Sequence, residues 1–199
     1  MIKVLMLDYN GVTGVANGKL LAKNIKEKYD VPNEILPEIM DFSGKEFAEF
    51  ETGKITIEDY HNFLLKKGGK DFPASVYREC QKDLFVDNPK MVKVLKKLKR
   101  KVKLALSQNS SRYDYDIQSK TLESFKIFEE FFYSSDLGCY KENPEYFNQC
   151  IKKLGVKPEE ILFFEDQPKN VESAKEVGIN THLFTSVKEF KRIVEEKIR

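Results

Sequence analysis

Two rhythms of apolar and polar positions run along the 199-residue chain. Five short apolar runs have the length and composition of strands: residues 2–7 (IKVLML), 102–107 (VKLALS), 131–135 (FFYSS), 161–165 (ILFFE) and 180–184 (NTHLF). Between the later runs, apolar residues recur at helical spacing. In 91–100 Val92, Leu95 and Leu98 share a face, and in 144–156 Phe147, Cys150, Ile151 and Leu154 do so, with Gly155 as a stop signal. In 168–179 a proline opens the helix and Gly178 follows its end. Strands alternating with helices predict parallel βαβ units and an open α/β sheet.

The stretch from about Gly14 to Asp87 breaks this alternation. It reads as helices throughout: LLAKNIKEKY, PEIMDFSGKEFAEFETG, TIEDYHNFLLKKG and PASVYRECQKDLF. Thr56 and Asp59 predict a capping box in its shorter, aspartate form. An all-helical block at 14–87 therefore sits between the first and second strands of a core made of 1–13 and 88–199. Insertions of that size usually serve as lids or binding elements. Its aromatic residues (Phe42, Phe47, Phe50, Tyr60 and Phe63) are expected in its own core rather than in a pocket. Lys45 and Lys54 are candidates for reaching an anionic substrate.

Composition narrows the classes. Apolar residues make up 41% of the chain, with 15 Phe and 9 Tyr, enough for a substantial core. The net charge is only +2 and acids and bases are mixed, which argues against a nucleic-acid binder. No apolar stretch approaches the roughly 20 residues of a membrane span, and the start reads as a strand rather than a secretory leader. Cys80, Cys139 and Cys150 are odd in number and lack metal-ligand spacing, so reduced thiols and a cytoplasmic setting are expected. Nothing in the pattern speaks to oligomeric state.

The candidate chemistry lies at the strand ends, where open parallel sheets bind their ligands. The first strand ends in Asp8, and the second in Ser107, followed by Gln108 and Asn109. The third is followed by SSDLGCYKENP, which carries Lys141, and the fourth ends in Glu165 and Asp166. Singly, each has a plainer use. Asp166 suits a helix cap, Ser107 a strand end, Lys141 a solvated surface, and Asn10-Gly11 a hairpin turn. Together they bring three acids, a hydroxyl and an ammonium to one crevice. Two carboxylates about 4 Å apart repel by roughly 4 kcal/mol at an effective dielectric near 20, so one is protonated or a cation sits between them. An all-oxygen ligand set favours Mg²⁺, and such a group suits a phosphoryl substrate.

On these residues the chain resembles the haloacid dehalogenase superfamily, in its phosphatase branch with a helical cap inserted after the first strand. The segments LMLDYNGV, LALSQNSS, SDLGCYKENPEYF and ILFFEDQPKNVESAKEVGI resemble its four motifs. FAEFETGKITIEDYHNFL resembles the cap of the branch that includes sugar-phosphate phosphatases. The resemblance implies a three-layer Rossmann-like core, Asp8 as the nucleophile that forms an aspartyl-phosphate, and Ser107 and Lys141 on the phosphoryl oxygens. It implies Mg²⁺ on the Asp8 carboxylate, the Asn10 carbonyl, Asp166, and Glu165 directly or through water.

Two departures stand out. The family usually carries an acid where this chain has Asn10, and an amide cannot serve as general acid or base, a role worth about 10²–10⁴-fold. Gln108 replaces the usual Asn or Thr after the serine, which reshapes the phosphate pocket or passes that contact to Asn109. The leading expectation is a slow or specialised Mg²⁺-dependent phosphatase of a small phosphorylated metabolite, with a sugar phosphate as one candidate. The alternatives are a catalytically silent protein that binds a phosphorylated ligand or a partner, and, behind both, a 2-haloacid dehalogenase.

Overall fold

The computed structural model describes residues 1–29, 42–68, 80–81 and 84–198. Five parallel strands form the central sheet in the order β5-β4-β1-β6-β7. They are β1 (Val4–Asp8), β4 (Lys103–Gln108), β5 (Glu130–Tyr133), β6 (Ile161–Glu165) and β7 (Asn180–Leu183). All five follow the apolar runs, to within a residue or two at most ends. β1 is central and completely buried, as a strand covered on both faces should be.

Alternation along β1 divides the core. Leu5 and Leu7 join a cluster with Met91, Val92 and Leu95 of α4 (Pro89–Leu98) and Phe190, Ile193 and Val194 of α9 (Val187–Lys197). Val4 and Met6 face the other way, toward Tyr146, Phe147 and Cys150 of α7 (Pro144–Leu154) and Ala174 of α8 (Pro168–Glu176). Helices thus cover both faces of the sheet, in three layers.

Between β1 and β4 the chain makes an excursion with its own apolar cluster, which includes Leu21, Ile25, Phe50, Tyr60 and Leu64. Its described helices are α1 (Gly18–Tyr29), α2 (Lys45–Glu51) and α3 (Ile57–Gly68). The capping box forms as expected: Thr56 N–H donates to Asp59 at 3.1 Å and Asp59 N–H donates to the Thr56 hydroxyl at 3.1 Å. Most of PASVYRECQKDLF and the start of PEIMDFSGKEFAEFETG lie outside the described residues.

The excursion is not helical throughout. Its ends form a two-stranded antiparallel ribbon, β2 (Gly14–Ala16) with β3 (Phe85–Asp87), in which Gly14 faces Asp87. Three-residue strands are too short to leave a period in the sequence. The ribbon also corrects the hairpin reading of Asn10-Gly11: β1 has parallel neighbours on both sides, and β2 pairs with β3 instead.

Two further helices fill the core. α5 (Tyr113–Thr121) follows β4, and α6 (Ser134–Leu137) follows β5. Among the described residues no helix is long and apolar enough to cross a membrane. The three cysteines carry free thiols, Cys80 and Cys150 buried and Cys139 partly so.

Candidate active site

Sheet register assembles the site. Asp8 lies opposite Ser107 in the β1–β4 ladder. Two-residue alternation puts Asp8, Ser107 and Glu165 on the same face as Met6, Ala105 and Phe163, the side covered by α7 and α8. Lys141 comes to this face on the loop between α6 and α7. Gly138, with φ +74°, ends α6, and Asn143 caps α7 through Glu145 N–H at 3.0 Å. Asn109 fixes the loop from the β4 side, accepting from Lys141 N–H at 2.9 Å.

The outcome is a buried bridge. The Lys141 ammonium donates to Asp8 Oδ1 and to Glu165 Oε2, each at 2.6 Å. The second oxygen of Glu165 accepts from Asp166 N–H at 3.1 Å and Gln167 N–H at 3.0 Å. Asp166 is half-buried beside Gly11, whose φ of +85° and missing side chain make room. A Cβ there would lie 2.3 Å from Asp166 Oδ2. Ligand oxygens of Asp8, Glu165 and Asp166 all fall within 4.8 Å of one another.

Three acids around one ammonium leave an excess of negative charge. Burial pushes Asp8 up to about 7, against the pull of Lys141 and with the push of Glu165. Burial also opposes the charged form of Glu165, but Lys141 and the backbone N–H groups outweigh it and hold its pKa below the usual carboxylate value. Burial works against the charge on Lys141, yet its two carboxylate partners raise its pKa overall. Burial, and a hydrogen bond and the charge from Glu165, raise Asp166.

A cation fits this arrangement. Asn170 is buried in the first turn of α8, and its Oδ1 finds no donor among the described residues. It lines a hollow of about 150 Å³ with Asp8, Asn10, Lys141, Glu165 and Asp166. A carbonyl oxygen without a donor, beside carboxylates in excess, suits a hard divalent ion. Sequence reasoning missed Asn170, although its place in the first turn of the helix that follows Asp166 was a usable signal.

The other candidates are placed as follows. Asn10 is exposed, and its Oδ1 accepts from Ala16 N–H at 3.0 Å. Its bridge to Gly14 is made by the backbone of Tyr9 and Gly11. Ser107 is fully buried, with its hydroxyl 3.0 Å from that of Tyr146. Tyr146 has one proton, and the Phe132 carbonyl at 2.9 Å accepts it, so Ser107 is the donor to Tyr146. Gln108 turns to Gln118, exchanging two amide hydrogen bonds at 3.1 and 3.2 Å. Lys45 and Lys54 line a separate hollow that includes Glu49 and Tyr140.

A family model described as haloacid dehalogenase-like hydrolase matches residues 4–178. The chain belongs to this family. It is 28% identical over 119 residues, 58% of the chain and 55% of the other, to a phosphorylated carbohydrates phosphatase of Thermotoga maritima. To a D-ribitol-5-phosphate phosphatase of Bacteroides thetaiotaomicron it is 26% identical over 145 residues, 68% of the chain and 69% of the other. The chain spans 29%, 55% and 54% of the lengths of the first three curated relatives it matches. Its fold resembles a family enzyme of B. thetaiotaomicron, solved in complex with magnesium and inorganic phosphate. The TM-score is 0.81 at 22% identity, covering 97% of the chain and 99% of the other.

Proposed function

We propose that this chain is a Mg²⁺-dependent phosphatase of small phosphorylated metabolites that works through an aspartyl-phosphate on Asp8. The observation that carries the reading is the buried Asp8–Lys141–Glu165 bridge, with Asp166 beside it, at the ends of adjacent strands. The magnesium complexes among its structural neighbours and the phosphatases among its relatives support it.

Asp8, the Asn10 carbonyl, Asp166 and the Asn170 amide oxygen would hold the ion. Glu165 would act through water, because Lys141 and two backbone N–H groups already occupy its oxygens. Bound there, Mg²⁺ supplies positive charge to the phosphoryl oxygens.

Asp8 attacks phosphorus; an O–P bond forms as the ester P–O bond breaks, and the departing alkoxide takes a proton from water. A second water then attacks the aspartyl-phosphate, releasing inorganic phosphate and restoring the carboxylate. Lys141 orients Asp8 and neutralises phosphoryl charge. Ser107 joins once its hydroxyl turns from Tyr146. Asn10 titrates nowhere useful, so good leaving groups are favoured. The excursion at 14–87 acts as the cap that encloses the leaving group.

Turnover of p-nitrophenyl phosphate and acetyl phosphate with and without Mg²⁺ tests this. Activity should require the ion and fall by about 10³-fold or more in Asp8→Ala. Inactivity on both substrates, unchanged by that substitution, would instead support a silent, phosphate-binding protein. The amide held by Ala16 N–H is the observation in favour of that second reading.

A further inference from the structure

Above the strand ends lies a second hollow, of about 300 Å³, which shares Asn10, Gln108 and Asn109 with the acidic one. The phosphoryl end of a substrate in the acidic hollow therefore directs its leaving group into this space. Phe42, Phe47 and Phe50 form an aromatic wall, with ring centroids of the first two 5.1 Å apart. This departs from the expectation that these rings belong only to the core of the excursion.

The charged groups among the described lining residues are both acids. Glu51 and Asp114 both line it, and no described lining residue is basic. Among the described residues Glu51 is met by one hydroxyl, that of Tyr140 at 3.0 Å, and Asp114 by that of Ser110. The third acceptor is Gln81, which is 5% exposed and whose Oε1 finds no donor among the described residues. The Tyr9 hydroxyl, on the same wall, is also without a partner among them. Two acids without a cation among the described residues, a carbonyl without a donor among them and aromatic faces all call for the same ligand group.

We propose that this hollow selects phosphate monoesters whose alcohol carries an ammonium group, such as aminoalkyl or amino-sugar phosphates. The inference rests on the phosphatase reading and names the substrate class of that same site. Burial, and the mutual repulsion of the two acids in the case of Glu51, raise Glu51 to about 8 and Asp114 to about 6. A bound ammonium favours the charged form of both, and returns Glu51, which is mostly protonated at neutral pH, to its carboxylate. The same charge, close to the departing oxygen, stabilises the alkoxide that Asn10 cannot protonate.

The test uses the full chain with Mg²⁺ and reads binding without turnover. Calorimetry compares 2-aminoethylphosphonate with propylphosphonate, 2-carboxyethylphosphonate and 2,3-dihydroxypropylphosphonate. The aminoethyl compound should bind at least about tenfold tighter than the propyl one, and the carboxyethyl compound weakest. In Glu51→Gln with Asp114→Asn, the aminoethyl-to-propyl ratio should fall to about one. Equal or weaker binding of the aminoethyl compound, a preference for the diol, or binding of none of the four overturns the proposal. Acetyl phosphate, too small to reach the aromatic wall, reports separately on the phosphatase reading.

Discussion

The two hollows that meet at Asn10 are built in opposite ways. The acidic one is made of strand ends, so its members are fixed by register: Asp8 opposite Ser107, with Glu165 on the same face of the neighbouring strand. The aromatic one takes Phe42, Phe47, Phe50 and Glu51 from the excursion and Asp114 from α5. The first has an internal ammonium that offsets part of its negative charge. The second holds two acids, Glu51 and Asp114, and no basic residue among its described lining.

Asn10 belongs to both hollows, and changing it gives the largest effect. Asn10→Asp keeps an oxygen for Ala16 N–H and adds a titratable acid. Steady-state turnover of alkyl phosphates should rise by about 10²–10⁴-fold, against a few-fold for p-nitrophenyl phosphate, whose leaving group needs no proton. An equal gain on both would place the effect in a step other than protonation of the leaving group, and no gain on either would mean that the missing acid does not limit the reaction.

Lys141→Ala removes the internal charge compensation of the acidic hollow. Leaving Asp8 and Glu165 buried together should cost about 3–5 kcal/mol, a loss of roughly 10 °C in melting temperature at pH 7. The pH dependence follows from Glu165. Its folded pKa lies below the usual value, so its stabilising contribution is complete above about pH 4.5 and is lost as the pH falls through the lowered value. The gap between wild type and variant should therefore close in acid. A gap that persists there would make the bridge a packing feature.

Glu51→Gln probes the other hollow with the opposite sign. Burial raises Glu51 to about 8, so its cost is absent below its ordinary pKa, grows as the pH rises from there, and levels off above 8. The variant should melt roughly 5 °C higher than wild type at pH 9 and the same at pH 4. Smallest is Tyr146→Phe. It removes the acceptor of Ser107 and the donor to Phe132, at a cost of about 1 kcal/mol in denaturant titrations, while phosphate affinity holds or improves because Ser107 is released.

The acidic hollow was legible because β1, β4 and β6 are nearly continuous apolar runs that end in polar residues. Parallel pairing then makes sequence position a guide to spatial position. The partners that set its state were less legible. Tyr146 read as an ordinary helix residue and Gln118 fell in no predicted element, and their bonds to Ser107 and Gln108 depend on packing. α5 went unread because YDYDIQSKT has no apolar stripe; it buries Ile117 and pairs Gln118 with a strand end. α9 did carry a stripe, in Phe190, Ile193 and Val194. The aromatic hollow was illegible in principle. Phe50 and Tyr60 stack at 5.0 Å, yet only Phe50 reaches the cavity, and helical spacing cannot separate the two roles.

A crystal structure of the chain with Mg²⁺ and beryllium trifluoride tests the central claim most directly. The account predicts beryllium bonded to an Asp8 carboxylate oxygen, fluorides facing Lys141, and Mg²⁺ shared by Asp8 and Asp166. Trifluoride elsewhere, or Asp8 still bridged to Lys141 with no ion beside Asp166, would contradict it.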